Sequence, residues 1–346
     1  MKILVIDQMG TSLDLCMRYM DAGHDVRLWI APTKEGKRKK TADGFVKRVE
    51  QWKPNMQWAD LILTTDNSSL MEELQPYHDK NYPIFAPNCA GAEIELDRQV
   101  VQDLFKKCGI KVMKSMHFDD YDSAIELVKK TKKRYVSKPD GDVDKALSYV
   151  SKSGRDMIHM LETWKIKNKD SRGFILQEFQ GGIEMAVGGW FGKNGWSQWF
   201  CENFEFKKMM SGDSGVNTGE QGTAIRYTKD SKLADKLLKP LTSHLHKIKF
   251  RGYFDMACII TDDGEPLPLE ATSRCGWPIR IIQEALHVGD PAQWMLDLLN
   301  GEDTLEVLDE IAIGVVVFIP DYPFTEYTGR DCDGYPIYEA EKMVFD

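Results

Sequence analysis

Lys207 to Gly222 reads KKMMSGDSGVNTGEQG, and how this stretch is read decides the fold. Its glycine, serine, asparagine and threonine content has the look of a flexible linker. A long polar loop inside a compact domain, however, carries function more often than it merely connects. Upstream, Phe174 to Leu176, Glu184 to Val187 and Trp196 to Phe200 are short strand-like runs. Tyr135-Val136 is another, and Gly182, Gly188-Gly189 and the Asn194-Gly195 turn punctuate the series, a texture that predicts an antiparallel sheet. Downstream, a helix is expected over Ser231–Lys247. Two strands follow, Tyr253 to Ile260 and Pro266 to Ala271, joined by the hairpin turn Asp262-Asp263-Gly264. A helix over Pro291–Asn300 and a strand over Ile313–Phe318 close this part.

The amino-terminal third has a different rhythm. Ile3 to Ile6 is a β-branched apolar run of the buried parallel kind, followed by a helical pattern through Leu13, Cys16, Met17 and Met20 that Gly23 ends. Val26 to Ile30, Leu61 to Leu63 and Ile84-Phe85 read as further strands. Strands alternating with helices predict a doubly wound parallel sheet over residues 1–95. Helices are then expected over Asp97–Cys108, with Val100, Val101, Leu104 and Phe105 on one face, and over Asp122–Lys130.

Composition narrows the functions open to the chain. Its 346 residues favour two or three subdomains, and 42% hydrophobic residues are ordinary for a globular protein. A net charge of −9 disfavours a protein that grips polymeric nucleic acid through many phosphates. No apolar run reaches the roughly 20 residues needed to cross a bilayer, and MKILVID enters a strand without a signal peptide's apolar core. Seven scattered cysteines without a CxxC pair fit a reducing, cytoplasmic compartment. The basic run Lys34 to Lys40 is expected to be a solvated loop, with contact to a small anionic substrate as the alternative.

Three further constellations bear chemistry. Val136-Ser137-Lys138-Pro139-Asp140-Gly141 ends a strand on a lysine and turns at a glycine, with Lys145 shortly after. Such a lysine can sit over nucleotide phosphates while the turn folds on top, although strand-end lysines commonly just snorkel to solvent. Gln177-Glu178-Phe179-Gln180-Gly181-Gly182-Ile183-Glu184 breaks a strand at glycines. Its backbone can face an adenine edge, with an acid just beyond able to accept from ribose hydroxyls; the alternative is a hairpin edge with surface acids. In Pro268 to Pro278, PLEATSRCGWP, Glu270 and Thr272 share one side of a strand and Arg274 lies on the turn beyond. Two oxygen donors with a guanidinium form the local chemistry of a magnesium-bound phosphate, and Asp255 on the preceding strand can add a carboxylate.

Taken in order, these motifs resemble the ATP-grasp superfamily, most closely phosphoribosylamine–glycine ligase, also called glycinamide ribonucleotide synthetase. That family carries stretches of the type IKADG, EEFLDGEE, DTGPNTGGMG and EFNCRFGDP. Here they read SKPDG from Ser137, QEFQGGIE from Gln177, DSGVNTGEQG from Asp213 and EATSRCGWP from Glu270. The likeness covers nearly the whole chain. It implies an α/β and α+β architecture: an ATP-grasp fold behind an amino-terminal doubly wound parallel-sheet domain. The domains expected are 1–95, Rossmann-like; 96–310, ATP-grasp, with a lid subdomain at about 114–185; and 311–346, a truncated carboxy-terminal segment.

The resemblance also implies the chemistry. ATP phosphorylates a carboxylate, expected to be that of an amino acid, and a small amine, phosphoribosylamine-like or a modified nucleotide, displaces phosphate to form an amide. Lys138 and Lys145 would hold ATP phosphates under a lid at Asp140–Lys145, joined by the cations Arg98 and Lys207. Gln177, Glu178 and Phe179 would frame the adenine, and Glu184 the ribose. Glu270, with Thr272 and Asp255, would bind Mg²⁺ or Mn²⁺. Arg274, Asp213, Asn217 and Thr218 would hold the acyl phosphate and small substrates. Monomer or homodimer are both open, with no membrane partner.

The departures are informative. Thr272 stands where the family has an asparagine metal ligand, Trp277 replaces the aspartate of GDP, and the lid adds Asp142 and Asp144. In place of the glycine-rich GNGGREHA stretch that approaches a substrate phosphate stands Asp7-Gln8-Met9-Gly10-Thr11-Ser12-Leu13-Asp14, with Thr65-Asp66-Asn67 where the family has GPE. A phosphate would meet like charge there, so the expected acceptor is an amine other than ordinary phosphoribosylamine. The alternatives are an orthodox glycinamide ribonucleotide synthetase that has drifted, and a nucleotide-binding or regulatory protein that kept the fold and lost catalysis.

Overall fold

The computed structural model describes residues 1–318 and 322, apart from 34, 66, 140–148, 168–172 and 213. The chain opens with β1 (Lys2–Asp7), α1 (Leu13–Asp21), β2 (Asp25–Ile30), β3 (Lys47–Arg48) and β4 (Leu61–Thr64). These form a parallel sheet in the order β3-β2-β1-β4, with Ile3 paired to Val26 on one side and Leu61 on the other. Ile3 to Asp7 are all buried, as a strand covered on both faces requires. The expected fourth strand at Ile84-Phe85 is reduced to a single parallel bridge, Ile62 to Ile84. Pro83 lacks an N–H, and Pro87 follows closely, so the ladder cannot continue. Helices α2 (Met71–Asp79) and α3 (Cys89–Leu96) cover this region.

Helix α4 (Arg98–Lys107) starts on Asp97, whose carboxylate accepts from Gln99 N and Val100 N. A smaller unit follows: β5 (Ser115–Phe118), α5 (Tyr121–Thr131), β6 (Tyr135–Pro139), β7 (Tyr149–Val150), α6 (Gly154–Lys167) and β8 (Phe174–Glu178). Its antiparallel sheet has the order β5-β8-β6-β7, with Val128, Met157, Leu161 and Trp164 of the two helices packed beneath Tyr135, Phe174 and Leu176.

The strands that the sequence suggested would share one sheet are therefore divided. β6 and β8 belong to the small sheet, whereas β9 (Ile183–Gly192) and β10 (Gly195–Met210) belong to a second one. The division falls at Gly181-Gly182. Gly182 has φ 152°, and a Cβ there would lie 2.2 Å from the Ile260 carbonyl, so the chain can leave one sheet for the other only at a residue without a side chain.

The second sheet continues with β11 (Ser214–Thr228) and, after α7 (Lys232–Leu237) and α8 (Thr242–Lys247), with β12 (Gly252–Ile260) and β13 (Pro266–Thr272). The single helix expected over Ser231–Lys247 is broken around Pro240 by a turn of 3₁₀ helix, because proline lacks the N–H an α-helix interior needs. Last come α9 (Ile279–Glu284), β14 (His287–Val288), α10 (Gln293–Asn300), β15 (Glu306–Val307) and β16 (Ile311–Val315). Among the described residues the large sheet runs β13-β12-β9-β10-β11-β16, all antiparallel. β16 is the expected last strand, shifted to begin two residues earlier and end at Val315.

One core crosses from the parallel sheet to the large one. Phe85 stacks on Trp190 with centroids 5.9 Å apart, and Trp190 meets Tyr253 at 4.6 Å and Trp294 at 4.8 Å. These rings join Ile3, Val5 and Leu63 in a single apolar cluster. The opposite face of β9 and β12 packs on α4, α7 and α8 through Phe105, Leu237, Leu241, Leu245, Phe254 and Met256. No helix among the described residues is long and apolar enough to cross a membrane.

A candidate nucleotide site between two sheets

The stretch that looked like a polar loop is a β-hairpin. β10 and β11 stay paired from Phe200–Thr228 out to Met210–Ser214, with irregularities on either side of Lys208. Glycine and threonine misled the reading, since long antiparallel partners override weak strand propensity. The hairpin places Thr218 on β11, where its hydroxyl donates to the Lys207 carbonyl at 3.0 Å. Asn217 sits on the same strand, opposite Lys208. Asp213, Lys145 and the Asp140–Lys145 lid lie outside the described residues. Arg98 opens α4.

Strand pairing brings one face of the large sheet together residue by residue. Thr272, Asp255, Gly188 and Cys201 lie side by side across β13, β12, β9 and β10. The next row on that face is Glu270, Ala257, Ala186 and Asn203. Alternation then puts Glu205 and Lys207 on the same side of β10, and Glu184 on the same side of β9. The Lys207 ammonium lies 2.7 Å from Glu184 Oε1 and 3.7 Å from both Glu205 Oε2 and Glu270 Oε1. Burial works against that ammonium's charge, but Glu270, Glu184 and Glu205 together outweigh it and hold its pKa well above the usual lysine value. Glu205 is pushed up by burial first, with Lys207 pulling the other way and the neighbouring acids adding to the rise.

From the small sheet, Lys138 reaches over and donates to the Leu269 carbonyl at 3.4 Å, next to Glu270. Beside it on β8, Gln177 is buried and Glu178 Oε1 pairs with Lys133 at 2.7 Å. The Arg134 guanidinium covers the Phe179 ring at 3.3 Å from its centroid. Lys138, Glu184, Lys207 and Glu270 thus converge across the gap between sheets, with Gln177, Glu178 and Phe179 at its edge.

Arg274 is turned toward the parallel sheet. Its Nη2 lies 3.1 Å from Glu95 Oε1 on α3, while Glu95 Oε2 accepts from Ser273 N at 2.8 Å and from Asn67 Nδ2 at 2.7 Å. Glu95 was not singled out in the sequence; nothing local marks it, since its partners are 28, 178 and 179 residues away. Asp255 is buried, takes the Tyr253 hydroxyl at 3.2 Å, and is held well above the carboxylate range by burial and then by Glu205. Among the described residues no group of three or more His, Cys, Asp or Glu side chains is arranged to hold a metal ion.

At the end of β1, Asp7 is fully buried and occupies its own loop. Oδ1 accepts from Met9 N at 2.9 Å, Gly10 N at 2.7 Å and Thr65 Oγ1 at 3.1 Å; Oδ2 accepts from Ser12 N at 2.8 Å and Ser12 Oγ at 2.5 Å. The backbone donors that could cradle an external phosphate here hold an internal carboxylate instead. The basic run reaches the same loop, Lys39 Nζ donating to Gln8 O at 3.0 Å, while Arg38 pairs with Asp43.

The family model for the phosphoribosylglycinamide synthetase ATP-grasp (A) domain matches residues 97–278, more than half of the chain. The chain belongs to this ATP-grasp family. It is accordingly an ATP-grasp ligase of the carbon–nitrogen bond-forming kind. A phosphoribosylamine–glycine ligase of Lactococcus lactis is 26% identical, the match covering 93% of this chain and 81% of the relative. The crystal structure of phosphoribosylamine–glycine ligase from Thermotoga maritima superposes with a TM-score of 0.74 at 18% identity, covering 94% of this chain and 82% of that one. An ADP complex of N5-carboxyaminoimidazole ribonucleotide synthetase superposes with a TM-score of 0.64 at 14% identity, covering 91% and 81%. The ATP-grasp fold expected from the motifs is therefore the fold observed.

Proposed function

We propose that this ATP-grasp ligase joins the carboxylate of a small acid, an amino acid in the simplest case, to an amine other than ordinary phosphoribosylamine. A carboxylate oxygen attacks the γ-phosphorus of ATP and ADP leaves. The amine nitrogen then attacks the acyl carbon, the C–O bond to phosphate breaks, and the nitrogen loses its proton. Such transfers need positioning and charge stabilisation more than covalent help. The observation that carries the reading is the convergence of Lys138, Glu184, Lys207 and Glu270 across the two sheets.

In this reading Lys138, Lys145, Arg98 and Lys207 hold the phosphates, Gln177, Glu178 and Phe179 frame the adenine, and Glu184 takes the ribose. Lys207 must then exchange its Glu184 partner for phosphate oxygen. Arg274, Asp213, Asn217 and Thr218 hold the acyl phosphate and small substrates. The exposed Glu270 carboxylate, with the Thr272 hydroxyl two residues on, fits Mg²⁺ or Mn²⁺, whose charge would neutralise the phosphates when bound. Asp255, paired in register with Thr272 on the neighbouring strand, is the further carboxyl candidate of that set. Residues 1–95 form the Rossmann-like domain of this reading and 96–310 the ATP-grasp domain, with about 114–185 as its lid.

The Asp7-filled loop supports an acceptor that brings no phosphate to that place. The test is ADP release from ATP and Mg²⁺ against panels of amino acids and amines. Turnover that needs both, and that Glu270→Ala abolishes, supports the ligase reading. Nucleotide binding without turnover across the panels would instead make the chain a nucleotide-binding or regulatory member of the fold.

A further inference from the structure

Beside the Lys207 centre, toward the interior of the large sheet, lies a group of polar side chains that the nucleotide does not use. Asp255 on β12 and Asn203 on β10 are buried, and Glu205 on β10 and Glu220 on β11 are half-buried at its rim. In the DTGPNTGGMG stretch of the family a glycine stands where this chain has Glu220, so that carboxylate is an addition. Asn203 Nδ2 donates to Asp255 Oδ2 at 3.5 Å, while Asn203 Oδ1, on a side chain with no exposure, has no partner. Gly188 faces the group from β9. A Cβ there would fall 1.8 Å from the Tyr253 hydroxyl and 2.7 Å from Asp255 Oδ2, so the strand is bare where the cluster stands.

The group is rich in acceptors and poor in donors. The Glu205 and Glu220 carboxyls and the Asn203 oxygen face the Thr223 hydroxyl and the Asn203 amide, while the Asp255 carboxyl, pushed up by burial, keeps its own proton and takes the Tyr253 hydroxyl. The one ammonium at hand among the described residues, Lys207, lies 2.7 Å from Glu184 and 3.7 Å from Glu205, which leaves Glu220 and the Asn203 oxygen without it. A primary ammonium brings three donors and no acceptor, which is what a buried set of this kind lacks. An anionic group would add acceptors to acceptors.

Building on the ligase reading, we infer that Glu205, Glu220, Asp255 and Asn203 form a subsite for an ammonium group, and that the amine substrate is a cationic one bearing a second, non-reacting amine. The second ammonium is held on the carboxyls while the reacting amine is directed to the acyl carbon beside Lys207 and Glu270. The Asp7 loop, filled by its own carboxylate, agrees with an acceptor that presents no phosphate.

The experiment titrates 1,3-diaminopropane, n-propylamine and 2-aminoethyl phosphate into the full chain by calorimetry, with and without a non-hydrolysable ATP analogue and Mg²⁺. 1,3-Diaminopropane is expected to bind at least about tenfold more tightly than n-propylamine, and 2-aminoethyl phosphate weakest, because a charge-assisted hydrogen bond to a buried carboxylate is worth that much. Glu220→Gln and Glu205→Gln, checked for folding by near-UV circular dichroism, should each erase the diamine's advantage. Glu220→Gln should leave nucleotide affinity within about twofold, since it removes no group assigned to ATP. A diamine that binds no better than n-propylamine, an advantage that survives both substitutions, or tighter binding of 2-aminoethyl phosphate would overturn the subsite. Failure of the nucleotide to bind, with diamine binding intact, would overturn the ATP reading and not this one.

Discussion

The Lys207 ammonium and the Glu184 carboxylate, 2.7 Å apart on neighbouring antiparallel strands, close an ion pair at the centre of the gap between the two sheets. Two more carboxylates, of Glu205 and Glu270, lie 3.7 Å from the same nitrogen. The ammonium therefore keeps three acids from facing one another bare. Lys207→Met should lower folding stability by about 1–3 kcal/mol in urea unfolding, because removing one partner leaves half-buried like charges uncompensated. Lys207→Arg should restore most of the stability. A Met variant that unfolds at wild-type denaturant would show that the pair is not what holds these strands' charges together.

Glu270 is the most exposed of the three acids on Lys207, its side chain 57% accessible. If it is the metal-binding acid, Glu270→Gln should raise the Mg²⁺ concentration needed for half-maximal ADP release at least about tenfold and lower the maximal rate by about 10²-fold, typical for loss of one group that stabilises developing charge. Thr272→Ala should show the same shift in Mg²⁺ requirement, smaller in size. An unchanged Mg²⁺ requirement with reduced rate would move Glu270 from the metal to another role.

Much of this site could be read from the sequence because it is built from local motifs. Lys138 stands one residue before the end of β6, and Glu270 and Thr272 alternate on one strand. The division of β6 and β8 from β9 and β10 was not legible. Period-two alternation looks the same in either sheet, and only the space beside the Ile260 carbonyl forces the break at Gly182. Glu95 was invisible for a related reason. It has no motif, and its role comes from Arg274 and Ser273 arriving from a strand far along the chain. Asp7 was noticed only as an unwelcome charge, whereas it proves to be the acceptor for its own loop.

That arrangement makes Asp7 structural. Its two oxygens take five hydrogen bonds, from Met9 N, Gly10 N, Ser12 N, Ser12 Oγ and Thr65 Oγ1. Asp7→Ala leaves these donors without their acceptor in a buried place, and at roughly 1–3 kcal/mol for each unsatisfied group, partly relieved by water, the loss should reach at least about 3 kcal/mol. Asp7→Asn should cost less but still destabilise, since its amide nitrogen offers donors where only acceptors fit. Inorganic phosphate should stabilise Asp7→Ala and not the parent protein, read as a shift in melting temperature. Equal shifts in both would mean that the loop does not hold phosphate even when vacated.

Gly188 tests the packing of the same sheet face. A methyl there meets the Tyr253 hydroxyl at 1.8 Å and Asp255 Oδ2 at 2.7 Å, well inside contact distance. Tyr253 is fully enclosed by Trp190 and cannot step aside cheaply. Gly188→Ala should therefore destabilise by about 1–3 kcal/mol, the range for overpacking a filled interior. Wild-type stability in this variant would mean that β9 and β12 are looser than their register implies.

Glu220 gives the fold a pH dependence whose sign is opposite to that of an ordinary salt-bridged acid. Burial pushes its carboxyl up to about 7; the Thr223 hydroxyl opposes the shift, Glu205 adds to it, and Lys207 subtracts. The folded state thus holds this proton more tightly than the unfolded chain, where a glutamate titrates near its usual value of about 4.3. Between those two values the native state carries more protons than the unfolded one, so this group's contribution to stability falls as pH rises, and above about 7 the full penalty remains. Glu220→Gln removes the titration and keeps the shape. The variant should match the parent near pH 4.5 and become progressively more stable than it up to pH 8, as read by urea unfolding at matched ionic strength. Saturating 1,3-diaminopropane should close that difference at pH 8 by favouring the ionised carboxylate in the parent. A variant whose advantage is flat across this range, or largest at low pH, would show that Glu220 is solvated and carries no such shift.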